Sequence, residues 1–442
     1  MRATRIVVAG AGLAGLTAAR ELEGAGASVT VVDARDRAGG RVWTIRDGFA
    51  NGQHGELGGE FIDAEHGALH RLCDEFGLRR VRVLPGGFTH RFRDRSGRPH
   101  VSRTRPWQAL ELLLAPLCRQ LLAARKNASA EAVREIAAIS LREWLVRQHA
   151  DPDVHAMANA LRGFFLADPD DLSVLPVVEQ VTSGGSPAQV KMFRLEGGND
   201  RLVDALVRSL AGTLRLRHQV LAIAQSTDHV VVTVIDPQGR QQQFEADAMV
   251  VALPASTLRD VTITPELPEP QSRAIRALRY GNATKVLVQT TRDAFRRRRA
   301  RAFATDDPWL GAFWDAAEEQ SHSASSMLAF LGGGSASARL RSGVAQGAEH
   351  LLSALCWLGM AGADVQAVRA ATWEDDPWSR GGYAYLDPGF DPALRPCLAR
   401  RAGRLVFAGE HTSARWQGYM NGAVESGIRA ARELIQEEGD RG

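Results

Sequence analysis

The apolar positions open with a short run, Ile6 to Ala9, long enough for one buried parallel strand. Gly10, Gly12 and Gly15 interrupt it, and Leu13, Leu16, Ala19 and Leu22 then recur at helical spacing. Ser28 to Val32 predicts a second strand, closed by Asp33. The three glycines stand at the GxGxxG spacing. Gly10 permits the tight strand-to-helix turn, Gly12 lets a pyrophosphate approach the backbone, and Gly15 lets helix and strand pack closely. The helix N-terminus offers free N–H groups and the positive end of a dipole to phosphate. Asp33 follows at the separation where a carboxylate accepts hydrogen bonds from ribose hydroxyls. Strand, helix, second strand and acid in register read as a dinucleotide site.

Beyond this unit, Gly48 to Ile62 carries the pair Gly58-Gly59, a second place where backbone must come close to something flat or bulky. Glu65 to Phe76 predicts an amphipathic helix with Leu69, Leu72, Cys73 and Phe76 on one stripe. From Trp107 to Ala167 the period is helical throughout, up to the break at Gly184-Gly185-Ser186-Pro187. Leu214 to Val220, Val230 to Ile235 and Ala248 to Leu253 read as strands, with Asp236-Pro-Gln-Gly239 a hairpin turn before Gln241 to Phe244. Lys285 to Thr290 alternates as a strand, and Leu328 to Gly334 and Trp373 to Tyr385 are strand-and-turn material. Arg292 to Arg301 is a charge run read as a solvated loop or helix end. Arg404 to Glu410 makes a last strand and Gly422 to Leu434 a last helix.

Composition changes the picture little. A chain of 442 residues favours two connected domains, and 45% hydrophobic and 24% charged residues are ordinary for a globular protein. The net charge of +3 does not argue for nucleic-acid or membrane partners, and no apolar run is long enough for a membrane span. The first strand leaves no room for a signal peptide, and Cys73, Cys118, Cys356 and Cys397 are scattered; a reduced, cytoplasmic protein without a zinc site is expected. His66 and His70 stand four apart with no third ligand, so two solvated histidines are expected. GxSxG, GxxxxGK[ST] and HExxH signatures are absent. The further glycine pairs Gly39-Gly40, Gly197-Gly198 and Gly381-Gly382 suit a long cofactor such as FAD better than a nicotinamide, which needs one glycine loop.

The set Gly10-Ala-Gly-Leu-Ala-Gly15, Gly39-Gly-Arg41, Glu56-Leu-Gly-Gly59, Gly281-Asn-Ala-Thr-Lys285, Gly409-Glu-His-Thr-Ser413 and Gly418 to Gly427 resembles the flavin-containing amine oxidases, which include monoamine, polyamine and L-amino-acid oxidases. The resemblance spans the whole chain in order. It implies an α/β fold: a Rossmann-like FAD-binding domain from segments 1–75, 195–272 and 386–442, with an α+β substrate domain from 76–194 and 273–385 that contains the helical insertion. By the same resemblance, Gly10, Ala11, Gly12, Ala14 and Gly15 cradle the pyrophosphate, and Asp33, with Ala34 and Arg35, holds the adenosine ribose. The family more often has glutamate at Asp33, so the shorter side chain makes that contact less direct. Gly40 and Arg41 reach phosphate; Leu57, Gly58, Gly59 and Glu60 pass beside the flavin; the Val220 backbone meets the adenine. Gly409 and Glu410 serve the pyrophosphate or ribityl region, and Gly418, Tyr419, Met420 and Ala423 the flavin.

Lys285 and Tyr419 are the catalytic candidates. Alternation alone leaves Lys285 as an outward-facing strand lysine; the resemblance makes it the lysine that holds a water against flavin N5. Tyr419, beside Trp416, matches one wall of the aromatic cage, while the other wall falls on Ala384 and is missing. The position before it, a cysteine where flavin is covalently attached, is Tyr383, so non-covalent FAD is expected. Glu60 is a candidate for binding a cationic substrate group, and Arg162, Arg194 and Arg380 for binding a carboxylate. The implied reaction is hydride transfer from a carbon bearing an unprotonated amine to flavin N5, hydrolysis of the imine, and reoxidation by O2 to H2O2. The partners are then a small amine or amino acid and O2, with a homodimer left open. An L-amino-acid oxidase specifically is the nearest alternative; a flavin-dependent desaturase and a non-catalytic flavoprotein are the others.

Overall fold

The computed structural model describes residues 3–93, 99–102, 105–183, 191–291, 300–320, 326–347 and 364–441. Five short strands form a parallel sheet in the order Thr213–Arg215, Ser28–Val32, Arg5–Ala9, Ala248–Val251, Leu405–Phe407. Side chains alternate across a strand, and here each alternate set enters a different core. Ile6, Val8, Val31, Val250 and Val406 pack with Leu16, Leu22 and Leu434, whereas Val7, Ala9, Val32, Val251 and Phe407 pack with Val230, Val232 and Ile223. Burial on both faces explains why Arg5–Ala9, Ala248–Val251 and Leu405–Phe407 read as continuous apolar runs, whereas Thr213–Arg215 at one edge is largely exposed. The first core is closed by helices Leu13–Gly24 and Met420–Arg441, which approach so closely that a Cβ on Gly427 would lie 2.3 Å from the Ala14 carbonyl oxygen. The last helix of the chain therefore covers the first.

A second, seven-stranded sheet runs Val365–Thr372, Ala283–Thr290, Ser326–Gly333, Ala312–Asp315, Ala302–Thr305, Thr89–Arg93, Pro99–Ser102. Ala283–Thr290 is paired antiparallel on both sides, and all eight of its residues are buried. Val286 and Val288 join Phe303, Phe313, Phe330 and Leu340 on one face, while Leu287 joins Leu57, Trp314 and Met327 on the other. Lys285 shares the Leu287 face by the two-residue period. Helices Arg105–Lys126, Ala130–Ala137, Leu141–Arg147, Pro152–Ala160, Arg162–Phe165 and Val174–Thr182 form the helical block. Several are capped by serine: Ser129 Oγ accepts from the Ala132 N–H, Ser140 Oγ from Glu143 and Ser173 Oγ from Leu175.

Some expectations are corrected. Leu214 to Val220 is not one strand. Thr213–Arg215 ends in the parallel sheet and Gln219–Gln225 begins in a four-stranded one. The break is made by Arg217 at φ 58°, whose N–H donates to the Arg35 carbonyl while the His218 N–H donates to that of Asp33. His66 is not solvated but fully buried, and the helix expected from Glu65 begins at Gly67. Gly184–Pro187 and residues 292–299 of the arginine run lie outside the described residues.

Candidate active site

The glycine loop is built as its spacing predicts. Gly10 sits at φ 104°, and a Cβ there would lie 2.8 Å from the Ala252 carbonyl oxygen; at Gly15 it would lie 1.9 Å from that of Gly10. At Gly12 a Cβ would meet nothing within 4 Å, so one side of the loop is open to an approaching group. Gly12 is also the N-cap of the first helix, with no side-chain cap and no acid in the first turn. The first N–H groups are thus left for an anion. Asp33 is buried: Oδ2 accepts from the Ala11 N–H at 2.7 Å and Oδ1 from the Arg35 N–H at 2.8 Å. Burial pushes its carboxyl up despite those bonds. One lone pair on each oxygen remains for ribose, so the carboxylate first shapes the loop. The Arg35 guanidinium, a cofactor candidate, is engaged by Asp376 at 2.5 and 2.7 Å. Ala14 is buried against the last helix and Ala34 is half-buried beside Asp33. Val220 lies two residues past the His218 bond to Asp33, at the start of its strand.

Three remote stretches meet on one ion pair. Arg41 Nη1 donates to Glu410 Oε1 and to the Gly382 carbonyl, each at 2.9 Å. Glu410 also accepts from the Gly418 N–H at 2.7 Å and the Ala384 N–H at 3.4 Å. Beside it, Leu57 to Gly59 forms a strip that excludes side chains. A Cβ on Gly58 would lie 2.0 Å from the Arg41 carbonyl oxygen, and one on Gly59 would lie 3.2 Å from Met420 Cγ. The Leu57 carbonyl is held by Trp373 Nε1 at 2.9 Å and the Gly59 N–H by the Arg41 carbonyl at 2.9 Å. The Ala423 N–H donates to the Tyr419 carbonyl, which ties the first turn of the last helix to this strip through Met420. Gly40 and Gly409 take the positive φ angles of 56° and 129° that let the chain turn at either end.

Lys285 projects from its buried strand to the far side of the strip. Its Nζ donates to the Gly58 carbonyl at 3.1 Å and pairs with Glu60 Oε2, 5.1 Å above the Trp314 ring. Glu60 Oε1 accepts from Trp314 Nε1 at 2.7 Å and pairs with Arg194 Nη2 at 2.6 Å. Arg194 in turn pairs with Glu319 at 2.5 Å and donates to the Asp315 carbonyl at 2.9 Å. Burial opposes the charge on Glu60, but Lys285 and Arg194 together hold its carboxyl below the ordinary range. Both oxygens of Glu60 are therefore taken, and the expected contact with a substrate cation would have to break this pairing. Arg194 is likewise occupied, Arg162 is held by Asp168 and the Asn159 carbonyl, and Arg380 pairs with Asp260 near the surface. None of the three carboxylate candidates joins Lys285 as a free cation.

The sequence reading named Trp416, Tyr419 and Tyr383 but missed four further rings, Phe61, Phe88, Phe164 and Trp314, which continue the aromatic arc to Lys285. Phe61 lies 5.4 Å from Trp314, Phe88 lies 6.1 Å from each of them, and Phe164 lies 5.1 Å from Phe88. The Tyr383 hydroxyl donates to the Phe164 carbonyl at 2.6 Å, and the Tyr383 ring lies over Gly418. Trp416 and Tyr419, 5.7 Å apart, close the arc, with Tyr419 42% exposed. The buried His66 ring stands edge-on to both at 4.8 and 5.2 Å, and burial pushes it down to about 3, so it supports them as a neutral ring. Ala384 is buried and leaves its part of the arc without a ring. Phe61, Phe88, Phe164 and Trp314 come from separate stretches of the chain and share no spacing, so no sequence signal announced them. Among the described residues no group of three or more His, Cys, Asp or Glu could hold a metal ion, and no helix is long and apolar enough to cross a membrane.

Comparison with known proteins bears on this geometry. The family model described as flavin containing amine oxidoreductase matches residues 13–435. The flavin-dependent L-tryptophan oxidase RebO of Lentzea aerocolonigenes is 31% identical over 99% of this chain and 98% of its own length. Mouse L-amino-acid oxidase is 27% identical over 97% of this chain and 70% of its own length, and horse flavin-containing amine oxidase A is 25% identical over 97% and 84%. Two solved structures share the fold: putrescine oxidase bound to putrescine (TM-score 0.83, 21% identity, 98% of this chain and 99% of that one) and cyclohexylamine oxidase from Brevibacterium oxydans (TM-score 0.84, 21% identity, 99% and 100%).

Proposed function

Since the chain belongs to the flavin-containing amine oxidoreductases, we propose that it is an FAD-dependent oxidase of a C–N bond in a small amine or amino acid with an apolar or aromatic body. The cofactor of this family is a flavin, and the open Gly12 loop, the uncapped helix and the side-chain-free strip at Gly58-Gly59 fit such a group. When bound, the flavin takes up the hydride and passes the electrons to O2, giving H2O2. On this reading the residues of this chain take the following roles. The helix N-terminus and Arg41 meet the phosphates, and the strip offers a flat face. The observation that carries the reading is Lys285: an ammonium has three N–H donors, Glu60 and the Gly58 carbonyl take two, and one is left beside the strip. That donor is suited to a water or to oxygen at the reacting centre.

The aromatic arc supports a large apolar substrate and orients it, while excluding water from the imine until release. The charges around Lys285 pair off internally, which disfavours a second substrate cation there and with it a diamine. An L-amino-acid oxidase acting on an aromatic amino acid is the second reading, favoured by the arc and by the likeness to the L-tryptophan oxidase. We assign the cofactor part to residues 1–75, 195–272 and 386–442 and the substrate part to 76–194 and 273–385. Peroxide release across a panel of amines, diamines and L- and D-amino acids tests the activity, with anaerobic bleaching of the flavin as the direct readout. Failure of every C–N substrate to bleach it overturns the proposal. FAD is held without a covalent bond, because Tyr383, bonded to Phe164, occupies the position of the attaching cysteine. Acid precipitation should release the yellow cofactor to the supernatant; flavin remaining in the pellet refutes this.

A further inference from the structure

The Lys285 cluster is a chain of alternating charge, Lys285–Glu60–Arg194–Glu319, and every side chain in it is at most 6% exposed. One carboxylate, Glu60, serves two cations, and Arg194 is drawn back from it by Glu319 and the Asp315 carbonyl. A buried carboxylate cannot be screened by water, so the share of Glu60 that Lys285 receives depends on what holds Arg194. We infer that Arg194 and Glu319 are positioning residues: acting through Glu60, they set the charge state of Lys285 and the direction of its remaining N–H. The inference rests on the proposed role of Lys285 at the reacting centre.

The sign of each effect follows from Coulomb's law. Removing the Arg194 charge leaves Glu60 to Lys285 alone and favours the protonated amine. Removing the Glu319 charge leaves two cations on one carboxylate and disfavours it. Other charged groups face the cluster and stay in place in both variants. Glu56 lies beside Glu60 and is pushed by burial up to about 7. Asp315 is paired with Arg301, Glu318 accepts from the Leu84 N–H, His54 is close enough to be influenced by both Glu319 and Arg194, and Glu374 is bound to the Ala283 N–H and Ser337. A structural defect alone would not move Lys285 in opposite directions in two variants of one chain.

The composition makes the test direct, because the chain holds only three lysines: Lys126, Lys191 and Lys285. Lys126 and Lys191 are exposed and serve as internal references. In flavin-loaded protein carrying 13Cε-lysine, the Lys285 resonance is titrated by NMR in the wild type, Arg194→Gln and Glu319→Gln. The midpoint should rise by about one pH unit in Arg194→Gln and fall by about one in Glu319→Gln, and the alkaline limb of kcat/KM should move with it. Arg194→Lys should restore the wild-type midpoint. Shifts of the same sign, or none, overturn the inference even where activity falls. If Arg194→Gln does not fold, the direction of the Glu319→Gln shift decides. The NMR readout needs no substrate, so a failed substrate screen would reject the proposed function and leave this result standing.

Discussion

Lys285 carries its charge in a strand of eight buried residues, and its neighbours explain how. An unpaired ammonium at such a position would be expelled or neutralised; Glu60 and the Gly58 carbonyl keep it in place. Lys285→Met, close in length and uncharged, should therefore fold and retain flavin while lowering kcat/KM by about 100- to 1,000-fold. Stopped-flow measurement of flavin reduction and reoxidation checks this and locates the loss; a change of less than about threefold in both half-reactions would show that Lys285 is a structural ion-pair partner only. At this scale the sequence was legible in part. The Gly281-Asn-Ala-Thr-Lys285 stretch pointed to the lysine, but alternation could not say which face was buried, because this strand has no solvent face.

At the scale of elements, the short hairpin Thr44–Ile45 with Gly55–Glu56 leads into the glycine strip packed against Arg41 and Met420. Its closing residue, Glu56, is buried and accepts from Thr44 Oγ1 at 2.9 and 3.0 Å and from the Asn199 N–H at 2.8 Å, and among the described residues no Lys or Arg forms an ion pair with it. Burial first, and the charge of Glu60 next among the forces pushing the same way, raise its carboxyl to about 7. A carboxyl raised on folding contributes stability that is complete below the unfolded value, here 4.5, and is lost as pH rises through the folded one. Between about pH 4.5 and 7 the wild type should lose roughly 3 kcal/mol that Glu56→Gln retains. Thermal unfolding of both proteins across that range measures it. Parallel stability curves would mean that Glu56 titrates at its ordinary value. The pair Gly58-Gly59 that follows the hairpin was visible in the chain; the burial of Glu56 depends on the Asn199 turn packed over it from 143 positions away.

Across the whole molecule, the surroundings of the glycine strip are assembled from distant parts of the chain. Arg41, Gly382, Glu410 and Gly418 converge on one ion pair, and the last helix lies on the first. Arg41→Met removes the cation that the long segment between them brings to Glu410. Flavin affinity should fall about 10- to 100-fold, the scale of one or two charge-assisted hydrogen bonds, measured by fluorescence titration of the apoprotein. Unchanged affinity would mean that the pair serves the fold and not the phosphates.

What the amino-acid sequence determined alone is the local chemistry. The spacing of Gly10, Gly12 and Gly15 announces their loop within one strand-turn-helix unit, although the contact that forbids a Cβ at Gly10 is with the remote Ala252, and the apolar runs of Arg5–Ala9, Ala248–Val251 and Leu405–Phe407 read as strands because both faces are buried. The β-hairpin at Asp236 to Gly239 and the helices of the insertion were equally local. Tertiary structure decided the pairings. Glu60 could have met a substrate cation; the fold instead places Lys285, Arg194 and Trp314 on it from three other elements. His66 looked solvated until the last helix and its preceding loop covered it, and Leu214 to Val220 looked like one strand until Asp33 and Arg35 split it. Periodicity records which face of an element is apolar, and long-range electrostatics then depends on which charges the packed elements bring within a few ångströms of one another.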